Sequence, residues 1–314
     1  MNIEIVALGE PLIEFNQTRA DDPHTYLQGF GGDTSNMAIA AARLGARAGY
    51  LTRVGDDAFG RMFISLWEHE RVDTRGVAVD RAAPTGVYFV THGERGHAFS
   101  YLRAGSAASR MSAAELPVDV IRNARVLHVS GISQAISEKA CDAAFAAMAV
   151  ARDAGVKVSY DTNLRLSLWP LARARATIVA SLAYCDWSLP SQDDARELFG
   201  STDKDVLIER CHDAGAPVVV LKCGRDGCIV SNRTRMETFR GHTVADLDAT
   251  GAGDCFDGAY AARIVAGDDP FSAARYANAA AALATTGFGA VAPLPRDADV
   301  RALLAKTPAS VIAQ

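Results

Sequence analysis

Short apolar runs alternate with Ala-rich helical runs along this 314-residue chain. That rhythm predicts an α/β fold: a central, mostly parallel sheet flanked by helices on both sides, plus a small antiparallel β lid. Two further observations sharpen it. Val218 to Lys222 shows no polar alternation, as befits a strand covered on both faces. Thr85 to Arg103 holds two strand-like runs with no helix between them, which suits an antiparallel hairpin outside the main sheet.

The elements follow in order. Ile3 to Leu8 reads as the first strand. Thr34 to Leu44 reads as a helix stopped by Gly45. Ala48 to Val54 is a strand and Ala58 to His69 a helix. Val126 to Ser130, Val156 to Asp161, Trp187 to Leu189 and Val218 to Lys222 are further strands, with a helix over Glu138 to Ala154. Helices begin at Cys255, Pro270 and Ala298. In the hairpin, a turn at Gly93–Gly96 joins Gly86–His92 to His97–Arg103. Alternation puts Tyr88, Val90 and His92 on one face of the first strand, and Phe99, Tyr101 and Arg103 on one face of the second. Residues 12–30 add strands to this lid. The expected division is therefore a core of residues 1–11, 31–84 and 104–314 and a discontinuous lid of 12–30 and 85–103. The tail after Lys306 is expected to fray.

Hydrophobic residues make up 49% and charged residues 22%, with a net charge of −5. This is ordinary for a globular protein with a large core, and it argues against a basic nucleic-acid face. No apolar run of about 18 residues suggests a membrane span, and MNIEIVALGE reads as a strand, not a signal peptide. The cysteines at 141, 185, 211, 223, 228 and 255 are scattered, which fits reduced, buried thiols and a cytoplasmic setting. Cys223 and Cys228 have no second ligand pair, and Asp21, Asp22 and His24 form no metal set. Trp169 and Phe99 read as packing residues, and His92 and His97 as exposed.

The chemistry concentrates in Asp248-Ala249-Thr250-Gly251-Ala252-Gly253-Asp254, just before an apolar helical run. Gly251, Ala252 and Gly253 allow a tight turn whose N–H groups, with the positive end of the helix, make an anion hole for a phosphate. A carboxylate there repels phosphate unless it does chemistry, so Asp254 is read as a general base that takes a proton from an attacking hydroxyl. A helix N-cap would use the same residue type. The first strand ends in Gly9-Glu10-Pro11-Leu12, which does not fit the GxGxxG of a dinucleotide site, so a nicotinamide-dependent oxidoreductase is the disfavoured third reading.

Three segments together resemble the ribokinase-like (PfkB) carbohydrate kinases: Gly31-Gly32-Asp33-Thr34-Ser35-Asn36, Lys222-Cys223-Gly224-Arg225-Asp226-Gly227, and the Asp248 to Asp254 motif. Their order and separation match across essentially the whole chain. Within that family the chain is most similar to the 2-keto-3-deoxygluconate kinase branch, through Gly9 to Phe15, Tyr101 to Ala108 and Asp161 to Trp169. The resemblance implies ATP as phosphate donor, Mg²⁺ arriving with it and keeping several waters, and a monovalent cation such as K⁺ near the motif. Asn163, Arg165, Ser191, Lys222, Gly224, Gly227, Thr250, Gly251, Gly253 and Asn278 are the expected nucleotide-side residues. One departure stands out: the family's Asn-x-x-Glu is here Ser191 to Asp194, so Asp194 is left a metal role only through water.

The branch implies a sugar acid, and Arg pairs with carboxylate through two parallel hydrogen bonds. Arg103 and Arg165 are the candidate arginines, with Tyr88 and Tyr101 for sugar oxygens and Gly32 and Asn36 at the first helix. Asp254 faces the same substrate. The expected reaction transfers phosphate to the 6-hydroxyl of 2-keto-3-deoxygluconate. Ribokinase, fructokinase or 2-keto-3-deoxygalactonate kinase activity, or a non-catalytic sensor, are the rivals. Exposed lid edges imply a homodimer or higher homo-oligomer through the lid.

Overall fold

The computed structural model of the chain describes residues 2–19, 21–93, 96–306 and 311–313. The turn residues Glu94 and Arg95, the side chain of His97 and residues 307–310 of the tail lie outside the described residues.

The chain begins with β1 (Ile5–Leu8), β2 (Leu12–Arg19), β3 (Asp22–Gly31), α1 (Asp33–Arg43), β4 (Ala48–Gly55), α2 (Ala58–His69) and β5 (Asp73–Asp80). It continues through β6 (Gly86–Gly93), β7 (Gly96–Leu102), α3 (Val118–Arg122), β8 (Val126–Ser130), α4 (Gly131–Ala135) and α5 (Glu138–Asp153). Then follow β9 (Lys157–Asp161), α6 (Leu171–Leu182), β10 (Trp187–Ser188), α7 (Gln192–Phe199), α8 (Lys204–Asp213) and β11 (Val218–Lys222). β12 (Gly227–Ser231), β13 (Met236–Arg240), α9 (Ala252–Ala266), α10 (Pro270–Ala284), α11 (Asp297–Lys306) and β14 (Val311–Ala313) complete it.

The main sheet has ten strands in the order β14-β13-β12-β11-β10-β9-β8-β1-β4-β5. From β11 through β5 every pairing is parallel, and β12, β13 and β14 add antiparallel edges. β1 lies where the strand order reverses, with β4 on one side and β8 on the other. Ligands bind at such a switch point, outside the carboxyl ends of the strands. Here those ends deliver Glu10, Asp161, Ser191 and Lys222.

Alternate residues of β1 face opposite layers. Ile5 and Ala7 pack with α1, α2, α9 and α10, while Val6 and Leu8 pack with α3, α5, α6, α7 and α8. The helices use the local signals expected of them. Ser137 caps α5, Ser191 caps α7, and Asp269 caps α10 with Pro270 in its first turn.

The lid is a separate four-stranded sheet, β3-β2-β6-β7. Its two outer pairings are antiparallel, and its central β2–β6 pairing is parallel because the two hairpins meet side by side. β5, β12 and β13 do not emerge from the sequence reading. β5 is a half-exposed edge with weak patterning, and β12–β13 form a hairpin behind the glycine loop. Residues 311–313 of the tail pair with β13.

Candidate active site

The carboxyl edge of the main sheet, the start of α9 and the inner face of the lid enclose a cavity of about 1050 Å³. Asp33, Asn36, Asp161, Asp194, Lys222 and Asp254 line its floor, and Tyr88, Phe99, Tyr101 and Arg103 its lid end.

Gly251 opens α9. Its φ of +76° and the 3.0 Å between a Cβ built there and Ala290 both demand glycine. Asp248 holds the preceding turn: Oδ1 accepts from the Thr250 N–H at 2.9 Å and from Thr250 Oγ1 at 2.6 Å, and Oδ2 accepts from the Gly289 N–H at 2.9 Å. Thr250 faces the cavity. The helix starts at Ala252, three residues earlier than the apolar run suggests, so Asp254 lies inside its first turn. The Ala252 N–H is spent on Ala249 O at 3.2 Å. At this turn the N–H groups of Gly251, Gly253 and Asp254 have no acceptor among the described residues, so Ala252 drops out of the set expected to meet a phosphate and Asp254 enters it. A Cβ built on Gly253 would have only Lys222 Nζ nearby, at 3.8 Å, so open space lies over this turn.

Asn36 Nδ2 donates to Asp254 Oδ2 at 2.8 Å, across 218 residues of sequence. Close packing of α1 on α9 makes this possible: a Cβ on Gly258, one turn beyond Asp254, would lie 2.5 Å from Met37 O. Burial, with Asp33 nearby, pushes the Asp254 carboxyl up to about 7, and the Asn36 bond works against the rise. A carboxylate tuned close to neutrality is suited to accept a proton.

Lys222 lines the cavity beside Gly253, but it is neither solvated nor unpaired. Its ammonium is locked between Asp161 Oδ1 at 3.1 Å and Asp257 Oδ1 at 3.0 Å. Burial alone would lower its pKa, and the two carboxylates outweigh that and raise it. Burial pushes Asp257 well up, while Lys222 overcomes burial at Asp161 and holds it below the usual range. The ionised form is therefore favoured more strongly at Asp161 than at Asp257. Lys222 serves as a brace between β11, β9 and α9.

Other expected nucleotide-side residues divide. Gly224 lines the cavity at φ +59°. Gly227 does not; it is pressed against the β13 backbone, where a Cβ would collide with Phe239 O. Asn278 is buried away from the cavity and donates to Arg240 O at 2.7 Å, so it ties α10 to β13. Asn163 lines the cavity, with its amide donated to Asp33 Oδ2 at 2.9 Å. Ser191 lines it while accepting from the Asp194 N–H at 3.0 Å. Asp194 accepts from Thr162 Oγ1 at 3.1 Å, and burial raises its pKa. Arg165 is exposed at the rim, donates to Leu164 O at 2.9 Å, and its charge favours the ionised forms of Asp33 and Asp194.

At the lid end, Gly32 has φ +105°, and a Cβ there would lie 2.5 Å from Glu10 O. Tyr88 is buried and donates its hydroxyl to Glu14, so its oxygen offers lone pairs but no free proton to a sugar. Tyr101 stacks on Tyr88 at 5.7 Å between centroids. Phe99, read from sequence as packing, is 47% exposed and lines the cavity. Trp169 is a packing residue, 6% exposed. Arg103 is not free: Nε donates to Glu10 Oε2 at 2.7 Å, and Nη2 contacts the same oxygen.

The sequence reading missed Glu10, Asp33, Asp161 and Asp257 as functional positions. Glu10 and Asp161 end strands beside the switch point, and that placement was the available signal.

The pfkB family carbohydrate kinase model matches residues 2–297. The chain belongs to this family. A fructokinase-1 of Zea mays is 36% identical over 96% of this chain and 98% of its own length. A 2-dehydro-3-deoxygluconokinase of Thermoproteus tenax is 36% identical over 95% of this chain and 93% of its own. Among solved structures, the fructokinase from Vibrio cholerae O395, in a form with fructose, ADP and calcium ion, superposes with a TM-score of 0.86. It is 29% identical, over 96% of this chain and 99% of that one. The ribokinase-like fold and the sugar kinase class are thereby shown. Among the described residues no group of three metal-binding side chains forms a cage, no helix is long and apolar enough to cross a membrane, and all six cysteines are free thiols.

Proposed function

We propose that this pfkB-family protein transfers the γ-phosphate of ATP to the 6-hydroxyl of 2-keto-3-deoxygluconate. The observation that carries the reading is one cavity holding, at one end, Asp254 bonded to Asn36 beside unpaired helix N–H groups and, at the other, Arg103 among Tyr88, Phe99 and Tyr101. Asp254 removes the hydroxyl proton as the oxygen attacks phosphorus. The N–H groups of Gly251, Gly253 and Asp254 stabilise charge on the transferred group. Asn36 fixes the carboxylate that performs the proton transfer. Gly224 and Thr250 border the nucleotide end, and Arg165 reaches the rim between the two substrates. Mg²⁺ bound to ATP supplies charge neutralisation on the phosphates. Asp194, which lines the cavity, would hold waters of that ion's shell and not the ion directly. The lid excludes water from the transfer.

A second reading, a neutral ketohexose as acceptor, is favoured by two observations. Glu10 already compensates the charge of Arg103, and fructokinases stand among the relatives. ADP release with Mg-ATP against 2-keto-3-deoxygluconate, 2-keto-3-deoxygalactonate, gluconate, ribose, fructose and no sugar decides between them. Turnover confined to the keto acids is expected. Preference for fructose or ribose overturns the acid assignment and leaves Asp254 as base. Residues Leu27 on β3 and Leu102 on β7, exposed on the two edge strands of the lid, support pairing of two copies there. A single-chain mass by sedimentation at micromolar concentration overturns that pairing.

A further inference from the structure

The residue best placed to set which substrate charge the lid end accepts is Glu10, a position outside the catalytic motif. Glu10 follows β1 at the switch point and is 1% exposed, yet it lines the cavity. Its two oxygens have separate partners. Oε2 takes Nε of Arg103 at 2.7 Å and contacts Nη2, while Oε1 accepts from Ser106 Oγ at 2.5 Å. Gly86 packs over it, with a Cβ built there lying 3.1 Å from Oε1. The carboxylate is therefore held in one place by the Arg103–Ser106 turn and by Gly86.

Only one edge of the Arg103 guanidinium is engaged. Nη1 has no acceptor among the described residues. An arginine gripped along its Nε edge cannot swing, and its remaining N–H groups point in a fixed direction. The Tyr101 ring, 5.6 Å from the guanidinium carbon, supports it from another side. The side chain of Arg103 is only 10% exposed, so its field at the cavity is the field of the Glu10–Arg103 pair, not of a lone cation.

The geometry points to Glu10 as a specificity-determining, positioning residue: it aims Arg103 at the far end of the substrate and tempers its charge. With Glu10 ionised, the pair donates hydrogen bonds to oxygen without a full positive charge, so its preference for a carboxylate over a hydroxyl is smaller than that of a lone cation. Replacing Glu10 by an isosteric amide keeps an acceptor for Nε and removes the negative charge. Arg103 then acts as an uncompensated cation, and a carboxylate substrate gains over a neutral one. This inference rests on the sugar kinase reading of the cavity, but not on which sugar is natural.

The test is the ratio of acid to neutral affinity in Glu10→Gln. Inhibition constants for gluconate are measured against fructose as acceptor, and against 2-keto-3-deoxygluconate as acceptor, in wild type and variant. Relative affinity for the acid over the neutral sugar is expected to rise by about tenfold, and by more than threefold at the least. A ratio within threefold of wild type, with both affinities changed together, overturns the inference and leaves Glu10 a structural residue. If Glu10→Gln does not fold by circular dichroism, Glu10→Asp withdraws the charge by one methylene and is read against the same threshold. Ser106→Ala, which removes a partner but no charge, is expected to leave the ratio within threefold, and a larger rise there also overturns the inference. Because gluconate binding is read even where the acid is not turned over, failure of the keto-acid assignment leaves this result interpretable.

Discussion

The two ends of the cavity are built differently. The phosphate end comes from one contiguous stretch, Asp248 to Asp254, whose turn is fixed by its own side chains and by a helix start. The sugar end is assembled from Glu10, Gly32, Tyr88, Phe99, Tyr101 and Arg103, which reach it from the core and from both hairpins of the lid. The first end depends on backbone N–H groups that every acceptor substrate would share. The second depends on side chains partly held by neighbours: Tyr88 by Glu14, Arg103 by Glu10. Chemistry is thus written locally and selectivity is written by the fold.

Substitutions can break this contrast or sharpen it. The largest effect is expected for Asp254→Asn, which should lower kcat for every accepted sugar by about 10²- to 10⁴-fold. The same variant carries a stability signature. The Asp254 carboxyl sits at about 7 in the folded chain, above its ordinary value. The folded state therefore binds the proton more tightly, and stability is lost as pH rises from the unfolded value through about 7. Asp254→Asn removes that loss, so its midpoint in urea should exceed that of wild type above pH 7. A substrate-dependent loss of kcat would break the contrast.

Arg103→Lys acts only at the other end. It keeps the charge and loses the planar fork, so kcat/KM for the keto acid is expected to fall about 10- to 100-fold, in line with ~1.5–3 kcal/mol for charge-assisted bonds. Binding of fructose, read as inhibition of keto-acid turnover, should change far less. Equal losses on both would show that Arg103 is bracing, not recognition.

Gly258→Ala tests what joins the two ends. The added methyl meets Met37 O at 2.5 Å, so α1 must move from α9, at a cost of about 1–3 kcal/mol in a urea titration. The Asn36–Asp254 bond spans the same interface, so kcat should fall as well. The smallest effect is expected for Asn36→Ala. Removing the donor favours the protonated form of Asp254, so the rising limb of kcat/KM against pH should move to more alkaline pH. An unmoved limb would remove Asn36 from the catalytic end.

What was legible in the sequence follows the same divide. The parallel sheet was readable because buried strands such as Val218 to Lys222 are apolar throughout, and the motif was readable because its glycines serve a local turn. The β2–β6 parallel pairing was not readable, because nothing in either strand encodes which hairpin lies beside it. Lys222, Arg103 and Asn278 were rightly singled out as polar residues needing an explanation. Their partners, Asp161 and Asp257, Glu10, and Arg240 O, lie tens of residues or more away, and only the folded chain shows that hydrogen bonds of Lys222 and Asn278, and one edge of Arg103, are already engaged. The Asn36–Asp254 bond is the opposite case, since two residues chosen separately turn out to touch.

The backbone at Gly32 has a consequence for how such a protein can be altered. Residues 11–31 leave the core after Glu10 and return at Gly32, and a Cβ at Gly32 would stand 2.5 Å from Glu10 O and 2.9 Å from Pro11 Cα. Exit and entry are therefore adjacent, like the two legs of a clip. An excursion whose ends already touch imposes almost no closure cost on the body that carries it. It can be exchanged, lengthened or trimmed as a cassette while the sheet beneath keeps its register, which makes the β2–β3 hairpin, whose Glu14 holds Tyr88 of the neighbouring hairpin, the portable half of the lid.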